Sequence, residues 1–84
     1  MSDAGLTVNL KSIRQSAGLT QMQLAMKVGV SRKTINTVEN TIAVPSTRLA
    51  LGIARALSVS VEDLFRLNER SYRGREDATE GRNR

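Results

Sequence analysis

The chain has no cysteine and no histidine, one proline, and two aromatic residues, Phe65 and Tyr72. Without cysteine there is neither a disulfide framework nor a thiolate metal site. Without histidine the commonest metal ligand and the commonest general base are both missing, which removes most enzymatic readings. No metal and no cofactor is expected. No apolar run approaches the roughly 18 residues a membrane span needs. The opening Met1-Ser2-Asp3-Ala4-Gly5 has neither a basic stretch nor a hydrophobic one, so a cytoplasmic location is expected rather than export. With so few rings, aliphatic side chains must fill the core. At 84 residues that core belongs to one small domain, which buries only about 60% of its unfolded surface.

Acid is also scarce where it matters. From Ala4 to Val61 there are seven basic residues, Lys11, Arg14, Lys27, Arg32, Lys33, Arg48 and Arg55, against the single acid Glu39. Residues 68–84 carry five arginines and four acids and are nearly balanced. The apolar part of the chain is therefore the basic part. Such a field draws polyanions, nucleic acid among them, although ordinary solubility would also account for it.

What is present is helical periodicity, with no convincing strand. Leu6, Leu10, Ile13 and Ala17 repeat at spacings of four, three and four, and Gly18 closes that helix. Thr20 with Gln23 has capping-box spacing and opens a second helix, Gln21 to Val28, with Leu24, Ala25 and Val28 inward and Gly29 at its end. Ser31 caps a third, with Ile35 and Val38 buried, running to about Asn40. Thr41 to Pro45 reads as a loop, because a residue before proline avoids the α region. Ser46 caps a fourth helix carrying Leu49, Ile53, Ala54 and Leu57. Ser60 with Asp63 opens a short fifth carrying Val61, Leu64 and Phe65. Caps and apolar stripes agree throughout, which predicts an all-α fold of five helices over residues 6–67. Residues 68–84 have no apolar stripe and are expected to form a charged, disordered tail.

The segment from Gln21 to Asn40 carries the functional signal. Two short helices meet at Gly29, where a sharp turn wants a residue tolerant of positive φ. Ala25 is small where the helices must cross closely. Leu24, Val28, Val30, Ile35 and Val38 supply the apolar contact between them and are read as core. This is the helix-turn-helix pattern, whose second helix enters the major groove of DNA. With Ile35 and Val38 buried, Arg32, Lys33, Asn36 and Thr37 are expected to lie outward, and none of them is acidic. Arg and Lys suit guanine O6 and N7, Asn suits adenine, and a Thr methyl suits thymine.

At this point the sequence resembles the Cro/CI-type (XRE-type) DNA-binding domains. The likeness runs through Leu19-Thr20-Gln21-Met22-Gln23-Leu24-Ala25-Met26-Lys27-Val28-Gly29-Val30-Ser31 and Thr34-Ile35-Asn36-Thr37-Val38-Glu39-Asn40. It continues through Pro45-Ser46, Ile53-Ala54-Arg55-Ala56-Leu57 and Val59 to Phe65, without a gap. The resemblance implies a five-helix lambda-repressor-like domain. It implies base contacts at Ser31, Arg32, Lys33 and Thr37, to which Asn36 is a reasonable addition, and phosphate contacts at Gln21 and Asn40. Thr20 joins Gln21 at a helix start, where free N–H groups and the dipole favour an anion. The resemblance also implies that Glu39 pairs with Arg14 across the first and third helices. Lys11 and Lys27 read as solvated charges.

One stretch departs from the family. Asn-Gly followed by Lys or Arg is common after the recognition helix, whereas Thr41-Ile42-Ala43-Val44 stands here. Losing glycine at a left-handed position costs on the order of 1 kcal/mol. Ile42 and Val44 either pack on a neighbour or shield the core. The expected function is sequence-specific regulation of transcription by a homodimeric repressor on a palindromic operator, with activation through a polymerase contact as a variant. Leu51, Val61, Phe65 and Leu67 are the candidates for the dimer surface, or else they close the core. The rival reading is an antitoxin or anti-activator whose main partner is another protein.

Overall fold

The computed structural model describes residues 5–68, and the expected tail lies outside them except for Asn68. Within this span the chain forms β1 (Leu6–Val8), α1 (Leu10–Ser16), α2 (Gln21–Val28), α3 (Arg32–Glu39), α4 (Thr47–Leu57), α5 (Val61–Leu64) and β2 (Phe65–Leu67). Four of the five helices start where a hydroxyl side chain accepts a backbone N–H two or three residues into the helix. The caps are Thr20, Ser31, Ser46 and Ser60. Each satisfies a donor that helix geometry leaves without an intrahelical partner. The exception is α1, where Asn9 stands at the cap position without a side-chain hydrogen bond.

The helices close around Leu10, Leu24, Ala25, Ile35, Val38, Ile53, Ala54, Leu64 and Phe65, all buried. Every helix contributes to this core, so none is an independent unit. Ala25 is wholly buried, as a close crossing of α2 over its neighbours requires.

The two ends of the described span differ from the sequence expectation. Leu6 does not begin a helix, because β1 occupies that position and α1 starts at Leu10. Ala17 is not on the buried face either; it is the exposed C-cap of α1. Phe65 is not helical: α5 ends at Leu64, and Phe65 turns extended at φ −132° and ψ 130°. The strands pair antiparallel in the register Leu6 with Leu67, Thr7 with Arg66 and Val8 with Phe65. Backbone bonds from Asn9 N to Leu64 O (2.8 Å) and from Asn68 N to Gly5 O (2.7 Å) extend the ladder at both ends. Three residues are too short to show a period of two, and Leu6 happened to stand four before Leu10. Only the pairing of β1 with β2 gives these residues strand partners, and no local pattern encodes that pairing.

Candidate nucleic-acid interface

The turn between α2 and α3 depends on one backbone conformation. Gly29 adopts φ +87° at the end of α2, and its N–H returns to Ala25 O at 2.8 Å. A Cβ built there would meet nothing within 4 Å, so backbone strain, rather than lack of space, calls for glycine. Val30 N also bonds Ala25 O at 3.0 Å, which closes the turn before Ser31 caps α3.

The first turn of α3 presents Arg32 and Lys33, both exposed, and the capping Ser31, also exposed. The Ser31 hydroxyl accepts from Thr34 N at 3.1 Å and lies 3.0 Å from Thr34 Oγ1. Asn36 and Thr37 lie further along the helix and are half-buried rather than fully outward. Thr37 spends its hydroxyl proton on Thr34 O at 2.9 Å, which leaves the methyl group and an acceptor oxygen for any ligand. Thr20 is exposed, with its hydroxyl engaged in the α2 capping box, and Asn40 is exposed at the end of α3.

Arg14 and Glu39 meet below this surface. Arg14 Nε donates to Glu39 Oε2 at 2.5 Å and Nη2 to Oε1 at 3.2 Å, with the two side chains 9% and 2% exposed. Arg14 Nη1 donates to Leu19 O at 2.8 Å, so three of its donors are engaged. Glu39 is thus neutralised inside the molecule. Among the described residues, the remaining acids are Glu62 and Asp63 on α5, so the outer surface of α2 and α3 carries positive charge only.

Gln21 is the residue whose role sequence reasoning missed. Its NH2 group donates to Glu39 Oε1 (2.9 Å) and to Asn36 Oδ1 (3.2 Å), while its own Oε1 accepts from Arg32 Nη1 (2.9 Å). Asn40 Nδ2 adds bonds to Asn36 O (2.9 Å) and Asn36 Oδ1 (3.0 Å). The buried ion pair and the exposed Arg32, which read as separate features, are therefore joined through one amide. Glu39 as the single acid of a basic span was the available signal, since a lone buried carboxylate needs several donors.

The dimer candidates lie elsewhere. Leu51 and Leu67 are exposed, Val61 is half-buried, and Phe65 belongs to the core. Leu51, Val61 and Phe65 line a shallow groove of ≈ 350 Å³ with Leu6, Val44 and Ala50, to which neither α2 nor α3 contributes. Ile42 is 71% exposed and Val44 60%, so neither shields the core. No group of side chains among the described residues could hold a metal ion, and no helix there is long and apolar enough to cross a membrane.

The comparisons agree with this geometry. A helix-turn-helix family pattern matches residues 10–64, from the start of α1 to the end of α5. An Archaeoglobus fulgidus protein named as an uncharacterized HTH-type transcriptional regulator is 39% identical over 70 residues, covering 83% of this chain and all of the relative. A Bacillus subtilis protein of the same description is 42% identical over 60 residues, 71% of this chain and 91% of its own length. One from Methanocaldococcus jannaschii is 46% identical over 56 residues, 67% of this chain and 85% of its own. A capped two-helix unit with a left-handed glycine turn, an acid-free basic outer surface and these relatives lead to one assignment: the chain belongs to the XRE-type helix-turn-helix family of DNA-binding transcriptional regulators and is not an enzyme.

Proposed function

We propose that this protein is a homodimeric repressor that binds a palindromic operator in cytoplasmic, nucleoid DNA. The observation that carries the reading is the division of the surface. Arg32 and Lys33 project from the first turn of α3, while exposed Leu51 and Leu67 and the apolar groove lie on elements that contribute nothing to α2 or α3. One short recognition helix spans only a few base pairs, and a second copy doubles the sequence read, at half-sites about one helical turn apart. Burying Leu51 and the groove between two copies would also remove exposed apolar area from water.

In this reading Ser31, Arg32, Lys33, Asn36 and Thr37 face base edges, and Thr20, Gln21 and Asn40 face phosphates. Occlusion of a promoter is sufficient mechanism, since it asks nothing of the protein beyond binding. The test is a mobility-shift titration with the DNA upstream of the protein's own gene, run at several salt concentrations. Binding should be specific, and log affinity should fall with log salt by about 0.9 per phosphate contacted. A flat salt response defeats the reading. Sedimentation of the same sample should give a dimer, and a monomer that binds a half-site alone defeats the dimer.

A further inference from the structure

The hydrogen-bond network behind α3 has a direction, and that direction is fixed by groups that cannot be reversed. A carboxylate only accepts hydrogen bonds, and a guanidinium only donates them. Gln21 stands between Glu39 Oε1, at 2.9 Å, and Arg32 Nη1, also at 2.9 Å. Its NH2 must therefore face Glu39, and its oxygen must face Arg32. The same NH2 lies 3.2 Å from the side chain of Asn36. Independently, the Asn40 side chain lies 2.9 Å from the backbone carbonyl of Asn36, so its NH2 is the group turned that way, and that NH2 is 3.0 Å from the same Asn36 atom. Two NH2 groups thus converge on one atom of Asn36, which must be the oxygen. Among the described residues the NH2 of Asn36 has no partner.

An asparagine reads adenine by donating to N7 and accepting from N6 through its oxygen. Here both lone pairs of that oxygen are occupied. We propose that Asn36 presents only its NH2 group to the major groove and selects a keto base, guanine or thymine, over the amino bases adenine and cytosine. Guanine offers two adjacent acceptors, O6 and N7, and thymine offers O4. Adenine offers N7 alone, beside an N6 amino group that meets the NH2 donor to donor, and cytosine offers only its N4 amino group. Arg14, buried against Glu39, holds the carboxylate that sets the polarity, so a salt bridge in the interior specifies a base preference at the surface. This inference rests on the reading that α3 enters the major groove.

The experiment is selection of operators from random duplexes by the full chain, followed by affinity measurements on duplexes carrying each of the four base pairs at every position. Asn36→Ala identifies the position that Asn36 reads, as the one where preference relaxes by on the order of tenfold. The wild type should prefer guanine or thymine there. Asn36→Asp, which can only accept, should invert that preference toward adenine or cytosine. Releasing the oxygen with Gln21→Ala and Asn40→Ala together should let adenine compete. The readout is a ratio between bases, so a general loss of affinity in these variants does not affect it. A wild-type preference for adenine at that position overturns the proposal. So does an Asn36→Ala variant that relaxes no position while the wild type still selects an operator, and so does a double variant that keeps the full keto preference. Failure to select any operator would instead defeat the DNA-reading assignment itself, and this inference with it.

Discussion

The α2–α3 surface and the surface formed by α4, α5 and the two strands are built on opposite plans. The first is polar, and its side chains are held by bonds between residues of α1, α2 and α3, with an ion pair beneath them. The second is apolar and open, a groove whose walls come from Leu6 at one end of the described chain, Val44 and Leu51 in its middle and Phe65 at the other. One surface spends its organisation on orientation, which is what reading hydrogen-bond patterns requires. The other offers area without direction, which suits a partner that must only fit. In the proposed reading, recognition and assembly are therefore separable, and substitutions should divide accordingly.

The largest effect should come from beneath the polar surface. Replacing Arg14 by Met, or Glu39 by Leu, strands a buried charge and should destabilise the fold by about 3–5 kcal/mol. That is a large share of the ~5–15 kcal/mol a domain possesses. Urea denaturation of both single variants and the double variant would measure it. The double variant should lose less than the sum of the two, and strict additivity would show that the pair is not coupled.

On the polar surface itself, Arg32→Ala should weaken operator binding by ~1–3 kcal/mol and relax one base position per half-site, without loss of stability. Lys11→Ala, at an exposed position on α1, should lower affinity slightly and equally for all sequences. If Arg32→Ala reduces specific and non-specific affinity by one factor, Arg32 anchors phosphate instead. On the apolar surface, Leu51→Glu should convert dimer to monomer in sedimentation and cost operator affinity while the circular dichroism stays helical. A variant that stays dimeric places the interface elsewhere.

Two smaller effects mark the borders between the surfaces. Thr41 follows α3 at φ +59°, a left-handed conformation that a β-branched residue adopts only under strain. Thr41→Gly should raise stability by up to about 1 kcal/mol, the relief being offset in part by the flexibility glycine adds to the unfolded chain. At the start of α5, Asp63 accepts the backbone N–H of Ser60 in a capping box, and these bonds, with help from Arg66, hold its carboxyl below the ordinary range. A depressed folded-state pKa contributes stability that is fully present above the unfolded value and lost as pH falls through the folded one. Wild type should therefore lose slightly more stability than Asp63→Asn between those two acidic values. Parallel acid titrations of unfolding would detect the difference, and identical curves would show that the cap contributes nothing.

Much of the polar surface was legible from residues alone, because its signals are local. The caps Thr20, Ser31, Ser46 and Ser60 each announce a helix by the residue's own chemistry. Gly29 marks the turn by the conformation it allows, and Leu24, Val28, Ile35 and Val38 mark the inward faces by spacing. Arg32 and Lys33 follow from the register those residues set. The half-burial of Asn36 and Thr37 was not legible, since burial at the edge of a helix face depends on the neighbour that covers it. The strands were not legible either, because each consists of three residues whose strand partners are distant in the sequence.

The sequence by itself determined five helices, the turn that joins α2 to α3, the charge of the surface they share and the family to which the chain belongs. These depend on contacts among residues a few positions apart, where spacing and side-chain chemistry suffice. Only the tertiary structure decided that β1 and β2 pair as a sheet, that Leu51 faces a groove, and that Gln21 links a buried carboxylate to Arg32. Each of those depends on hydrogen bonds or packing between distant residues, and such contacts acquire their direction only when the whole core has formed.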